Sequence, residues 1–142
     1  MSDYAKIIEM LNRVLEQEHA CSIRYATHAA MVTGPYAEAV AARLLEISGD
    51  EVNHAQKLRD RILALGGTPS MNVSLDDLKY GKDLAEMLAI NIAEEKQAIS
   101  EYLKILRETF EENVILYQTI QEIIRDEQEH LEELENLVSE QS

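Results

Sequence analysis

The chain has 142 residues, enough for one domain with a real core, and its 46% hydrophobic content is ordinary for a soluble globular protein. A formal charge of −14 argues against nucleic acid, whose phosphates require a basic surface, and against an anionic membrane. The lone Cys21 excludes an internal disulfide framework and any C-x-x-C metal knuckle, and reads as a small buried apolar residue. No basic stretch followed by an apolar run opens the chain, and no apolar run approaches membrane-spanning length, so a cytoplasmic location is expected.

Trp is absent, aromatics are 5%, and Gly and Pro are few, which leaves a helix-forming inventory and an all-α expectation. A first helix over residues 4–33 carries Ile7, Leu11, Val14, Leu15, Tyr25 and Ala29 on one face, with Ser2 and Asp3 as N-cap candidates. Gly34-Pro35 stops it. A second helix, 36–65, places Val40, Leu44, Ile47, Leu58, Ile62 and Leu65 together and ends at Gly66-Gly67. Residues 66–82 are too long for an ordinary connection. Some 17 extended residues reach roughly 55 Å, more than the ~45 Å of a 30-residue helix, so the third helix is free to run parallel to the second. That third helix, 83–112, shows Met87, Asn91, Ala98, Tyr102 and Ile105 on a face. After a tight turn at Asn113 the fourth, to about residue 139, shows Tyr117, Ile120, Ile124, Leu131, Leu134 and Leu137. Four helices with one long central crossover make a single ferritin-like four-helix bundle, residues 1–142.

Two segments share the pattern D-E-x-x-H-x-x-x-L: Asp50-Glu51 with His54 and Leu58, and Asp126-Glu127 with His130 and Leu134, 76 residues apart. On a helix each Glu and His, three apart, share a face. Four glutamates interrupt the apolar faces near mid-helix: Glu18, Glu51, Glu94 and Glu127, with Glu18 and Glu94 also 76 apart. Burying unpaired carboxylates costs several kcal/mol each. Arg24, Arg43 and Arg125 fall mostly off the core stripes, so bound cations are the better compensation. Two divalent ions balance four carboxylates, with His54 and His130 as neutral nitrogen ligands, and this mixed shell suits iron or manganese.

These residues resemble the ferroxidase centre of the bacterioferritin branch of the ferritin-like superfamily, over essentially the whole chain to about Ser139. The resemblance implies a ligand set of Glu18, Glu51, His54, Glu94, Glu127 and His130. Glu51 and Glu127 would bridge two irons, Glu18 and His54 would hold one, and Glu94 and His130 the other. It also implies that Tyr25 hydrogen-bonds a ligand carboxylate. Asp50, with Glu46 one turn earlier, is a candidate for iron transit, the alternative being a pair of solvated helix carboxylates. The implied activity is oxidation of Fe2+ with O2 or H2O2 for storage or detoxification.

The chain departs from that family where a haem-binding methionine would follow the bridging Glu of the second helix. That place is Val52, so haem is not expected; Met31 reads as packing. The chain stops just past the fourth helix, without the short fifth helix of the 24-subunit shells. A rubrerythrin-like peroxidase or oxidase that stores no iron is the enzymatic alternative, although Gln97 stands where those proteins would have a second helix-three glutamate. A non-catalytic bundle whose polar ladder only specifies pairing is the other. His19 and His28 read as surface or interface residues. Outward small and apolar residues (Ala20, Ile23, Leu45, Gly49, Val52) point to a homo-oligomer, at least an antiparallel dimer, with Gly49 at a close helix approach.

Overall fold

The computed structural model describes residues 4–109 and 113–141. Within them lie four helices, α1 (Ala5–Met31), α2 (Ala37–Ala64), α3 (Leu84–Glu108) and α4 (Val114–Gln141), and no strand. No helix among the described residues is long and apolar enough to cross a membrane. The expected caps Ser2 and Asp3 lie outside the described residues, and at Tyr4 no side chain caps α1.

Three of the helix ends have a clear local cause. Gly66 takes φ +89°, and the amides of Gly66 and Gly67 close back on the carbonyls of Leu63 and Ile62, the paired bonds of a Schellman cap. The Asp83 side chain accepts from the Glu86 amide and so starts α3. Asn113 does the same for α4, its Oδ1 accepting from the Leu116 amide at 3.3 Å.

The crossover lies along α1 and is fastened to it at successive turns. Asn12 Nδ2 donates to the Thr68 carbonyl, the Ser74 amide to the Glu16 carbonyl, His19 Nδ1 to the Asn72 carbonyl, Arg24 Nη1 to the Asp77 carbonyl and His28 Nε2 to the Lys79 carbonyl. The loop therefore travels from the start of α1 to its end, and α3 begins there and runs parallel to α2. His28 is fully buried under this strap rather than at a surface. Its Nδ1 accepts from Asn91 Nδ2 while Nε2–H donates to the loop, which fixes a neutral tautomer.

Two apolar clusters fill the bundle. One gathers Leu11, Leu15, Leu58, Ile62, Ile105 and Ile120 towards the start of α1; the other gathers Ala29, Val40, Leu44, Met87 and Leu88 towards its end. On α4 the buried ladder is Leu116, Ile120 and Ile123, with Tyr117 and Ile124 only half-buried. This corrects the expected stripe by one residue, because the ladder must run in register through Glu127 and His130. Ala20 is also corrected: it is fully buried within the chain, whereas Ile23, Leu45 and Val52 are exposed.

Gly66→Ala should destabilise the fold by about 1–2 kcal/mol, the cost of a left-handed non-glycine residue. Gly49→Ala should act the opposite way by about 1 kcal/mol in the isolated chain, since a Cβ there meets nothing within 4 Å. Urea titration of the two variants checks both signs.

Candidate metal centre

Between the two apolar clusters the four helices each turn ionisable side chains inward. Glu18 comes from α1, Glu51 and His54 from α2, Glu95 from α3, and Glu127 and His130 from α4; all six are at most 2% exposed. They form two overlapping groups, Glu18/Glu51/His54/Glu127 and Glu51/Glu95/Glu127/His130, in each of which one ligand-capable atom per residue lies within 4.8 Å of the others. Glu51 and Glu127 belong to both groups and so stand between two positions. The imidazoles flank them with ring centroids 6.3 Å apart.

One expected member is replaced. Glu94 does not join the cluster. It turns towards the crossover, where Lys79 Nζ donates to it at 2.6 Å and Arg24 Nη1 lies 3.8 Å away. Its neighbour Glu95 takes the inward place, because one residue along a helix rotates a side chain by about 100°. The constant spacing of 76 holds between α2 and α4 but not between α1 and α3: Glu18 lies 33 residues before Glu51, whereas Glu95 lies 32 before Glu127. The signal for Glu95 was present in the α3 ladder Asn91, Glu95, Ala98, Tyr102, and in the Glu-x6-Tyr spacing that Glu95-Tyr102 shares with Glu18-Tyr25.

A surrounding layer of hydrogen bonds orients the cluster. Tyr25 Oη donates to Glu95 Oε2 at 2.6 Å, and Tyr102 Oη to Glu18 Oε2 at 2.7 Å. Each tyrosine reaches across to the carboxylate of the other odd-numbered helix. His54 Nε2–H donates to Asp126 Oδ2 at 2.8 Å, and His130 Nε2–H to Asp50 Oδ2 at 2.9 Å. In both imidazoles Nδ1 is then the nitrogen that faces the carboxylates. Asp50 thus holds a histidine, while Glu46 pairs with Arg43 and stays mostly exposed. Tyr102 and Asp126 were not singled out by sequence reasoning, although Asp126 sits within the repeated D-E-x-x-H.

Arg24, contrary to expectation, is buried at 2% exposure. It donates to Asn91, the Asp77 carbonyl and Cys21, not to any of the clustered carboxylates, so it leaves their charge uncompensated. The cluster itself carries the unmet demand. Among the described residues, the buried side-chain atoms without a hydrogen-bond partner are Glu18 Oε1, both oxygens of Glu51, Glu95 Oε1, both oxygens of Glu127 and His130 Nδ1. A donor set of carboxylate oxygens and imidazole nitrogens, all directed to one volume, fits divalent first-row metal ions.

Without metal, protons are the available compensation. Burial and the charge of Glu18 push Glu51 up to about 8. Burial and the charge of Glu51 raise Glu127 well above the carboxylate range. Burial alone would lower His54, but its bond to Glu18 and the nearby Glu51 carboxylate lift it to about 11. His130, with burial opposed by its contact with Glu95, rises to about 9. All four groups have folded pKa values above their unfolded ones. Their stabilising contribution is complete at low pH and is lost as pH rises through the folded values. The metal-free protein should therefore lose stability as pH rises from about 5 through the folded values of about 8, 9 and 11 in urea titrations, and saturating Co2+ should flatten that loss by taking the place of the protons.

Comparison with known proteins identifies the family of the chain. The ferritin-like domain family matches residues 8–141. Bacterioferritin from Rhodobacter capsulatus is 32% identical over 140 residues, covering 98% of this chain and 86% of that one. Bacterioferritin from Desulfovibrio desulfuricans is 31% identical over 144 residues, covering 95% and 75%. A ferritin-like diiron-carboxylate protein of Bacillus anthracis superposes with a TM-score of 0.91 at 32% identity, over 97% of this chain and 99% of that one. A crystal structure of the Desulfovibrio desulfuricans bacterioferritin, which describes its diiron site, superposes at 0.87 with 28% identity, over 96% and 80%. The chain belongs to the ferritin-like family, as a bacterioferritin-like member of it.

Proposed function

We propose that this chain is a ferroxidase that binds two Fe2+ at the buried cluster and oxidises them with O2 or H2O2, in the service of iron storage or detoxification in the cytoplasm. The observation that carries the reading is the state of Glu51 and Glu127, both fully buried, whose four oxygens accept no hydrogen bond and face only the equally buried nitrogens of His54 and His130 at 3.1 and 3.2 Å. A polar ladder that only specified helix pairing would satisfy its own groups. Two divalent ions bring four positive charges to four carboxylates. Glu18 and His54 serve one ion, Glu95 and His130 the other, with Glu51 and Glu127 shared.

The iron supplies the electrons. With peroxide, two Fe2+ give one electron each, the O–O bond breaks, and two protons complete two waters. The chain's part is to concentrate the ions, hold their separation and exclude bulk water. His54 and His130, protonated without metal, release protons as Nδ1 becomes a ligand. Mn2+ would suit the same donors. Haem is not part of the proposal, since Val52, 55% exposed, offers no thioether. The exposed Ile23, Leu45 and Val52 on α1 and α2 favour a homo-oligomer of at least two chains.

Glu51→Ala and Glu127→Ala should each abolish rapid oxidation of added Fe2+ in stopped-flow absorbance; a rate equal to wild type sinks the proposal. Asp126→Ala should weaken metal binding about 10- to 100-fold by freeing His54, as read by equilibrium titration with Co2+. Storage, as opposed to turnover alone, predicts that far more than two irons per chain stay soluble after oxidation.

A further inference from the structure

Two tyrosines touch the cluster, and they differ in their surroundings. Tyr25 has Arg24 over its ring at 5.5 Å, and a polar network with Asn91 and His28 lies behind that arginine. Tyr102 is 1% exposed within the apolar cluster of Leu11, Leu15, Leu58 and Ile105, and its hydroxyl bonds to Glu18. A buried hydroxyl in apolar surroundings is costly unless paired, so Glu18 satisfies Tyr102 as much as Tyr102 satisfies Glu18. The hydroxyl is the donor in that bond, at 2.7 Å.

The partner pattern separates the carboxylates into two kinds. Glu18 and Glu95 each have one oxygen tied to a tyrosine and one without a hydrogen-bond partner; Glu51 and Glu127 have no hydrogen-bond partner at either oxygen. The shared pair meets only the inward nitrogens of His54 and His130, at 3.1 and 3.2 Å, whereas a tyrosine hydroxyl pins each of the outer pair. We infer that Tyr102 is a positioning residue for one of the two metal positions, holding Glu18 in place for the ion it shares with His54, as Tyr25 holds Glu95 for the ion shared with His130. The inference rests on the proposed two-metal site. It adds an assignment: each tyrosine governs one position and not the other.

The test is equilibrium titration of the metal-free, full-length protein with Co2+, followed by visible absorption. Wild type should take up two equivalents. Tyr102→Phe should bind one equivalent as wild type does and the other about 10-fold or more weakly, and the loss should vanish when Tyr102→Phe is made in a Glu18→Ala background, as a double-mutant cycle requires. Tyr25→Phe should weaken the equivalent that Tyr102→Phe leaves intact. Unchanged binding of both equivalents in Tyr102→Phe overturns the inference, as does additive loss with Glu18→Ala. Ile105→Val removes bulk from the same apolar cluster without touching a polar group, and an equal weakening by it would reduce Tyr102 to packing and overturn the assignment. Wild type taking up no Co2+ would overturn the two-metal site first. If Tyr102→Phe does not fold, Tyr25→Phe decides: weakening of a single equivalent supports the division, and weakening of both overturns it.

Discussion

Six ionisable side chains buried in one layer are the constraint on which the rest of this structure depends. An uncompensated carboxylate in such a place costs several kcal/mol, and four of them share it here with two imidazoles. The bundle meets the cost by insulating the layer between two apolar clusters and by surrounding it with donors and acceptors that orient it without neutralising it. Tyr25 and Tyr102 approach from the α1 and α3 side, Asp50 and Asp126 from the α2 and α4 side. The one buried arginine is occupied elsewhere. Such a layer has net affinity for cations built into it, and protons and metal ions compete for the same lone pairs.

The seam between α2 and α4 shows how the layer is tied into the fold. It is crossed by four polar pairs in antiparallel register: Arg43 with Glu133, Asp50 with His130, His54 with Asp126, and Lys57 with Glu122. The two middle rungs are also the histidines of the centre. Each D-E-x-x-H segment therefore supplies a shared carboxylate, an imidazole, and the aspartate that steadies the imidazole of the other segment. Asp50 and Asp126 are the partly exposed members, at 43% and 42% side-chain exposure, beside histidines that are almost fully covered.

Much of this was legible in the sequence. Helical periodicity gave the four elements and their inward faces, the repeat of D-E-x-x-H identified four of the six clustered residues, and the interruption of the first apolar face identified Glu18 as the fifth. Glu95 was missed because a constant offset was carried from α2 and α4 to α1 and α3, where the spacing differs by a single residue; on a helix a single residue is a different face. The α3 ladder through Asn91 and Tyr102 held the correction. Arg24 and His28 were misplaced for another reason. Their burial comes from the crossover strapped over α1 and from Asn91 on α3, contacts between segments 50 to 70 residues apart that periodicity within one helix does not encode.

That strap is unequal in what it demands of the two segments it joins. Asn12, His19, Arg24 and His28 of α1 reach it through their side chains, and what they grasp are carbonyl groups of the crossover backbone. Any amino acid presents a carbonyl. The path of the crossover is thus written largely in the helix beneath it; Ser70 and Lys79 add side-chain bonds to Glu16 and Glu94, but the outward Met71, Leu75 and Tyr80, all largely exposed, are free to change for purposes other than folding.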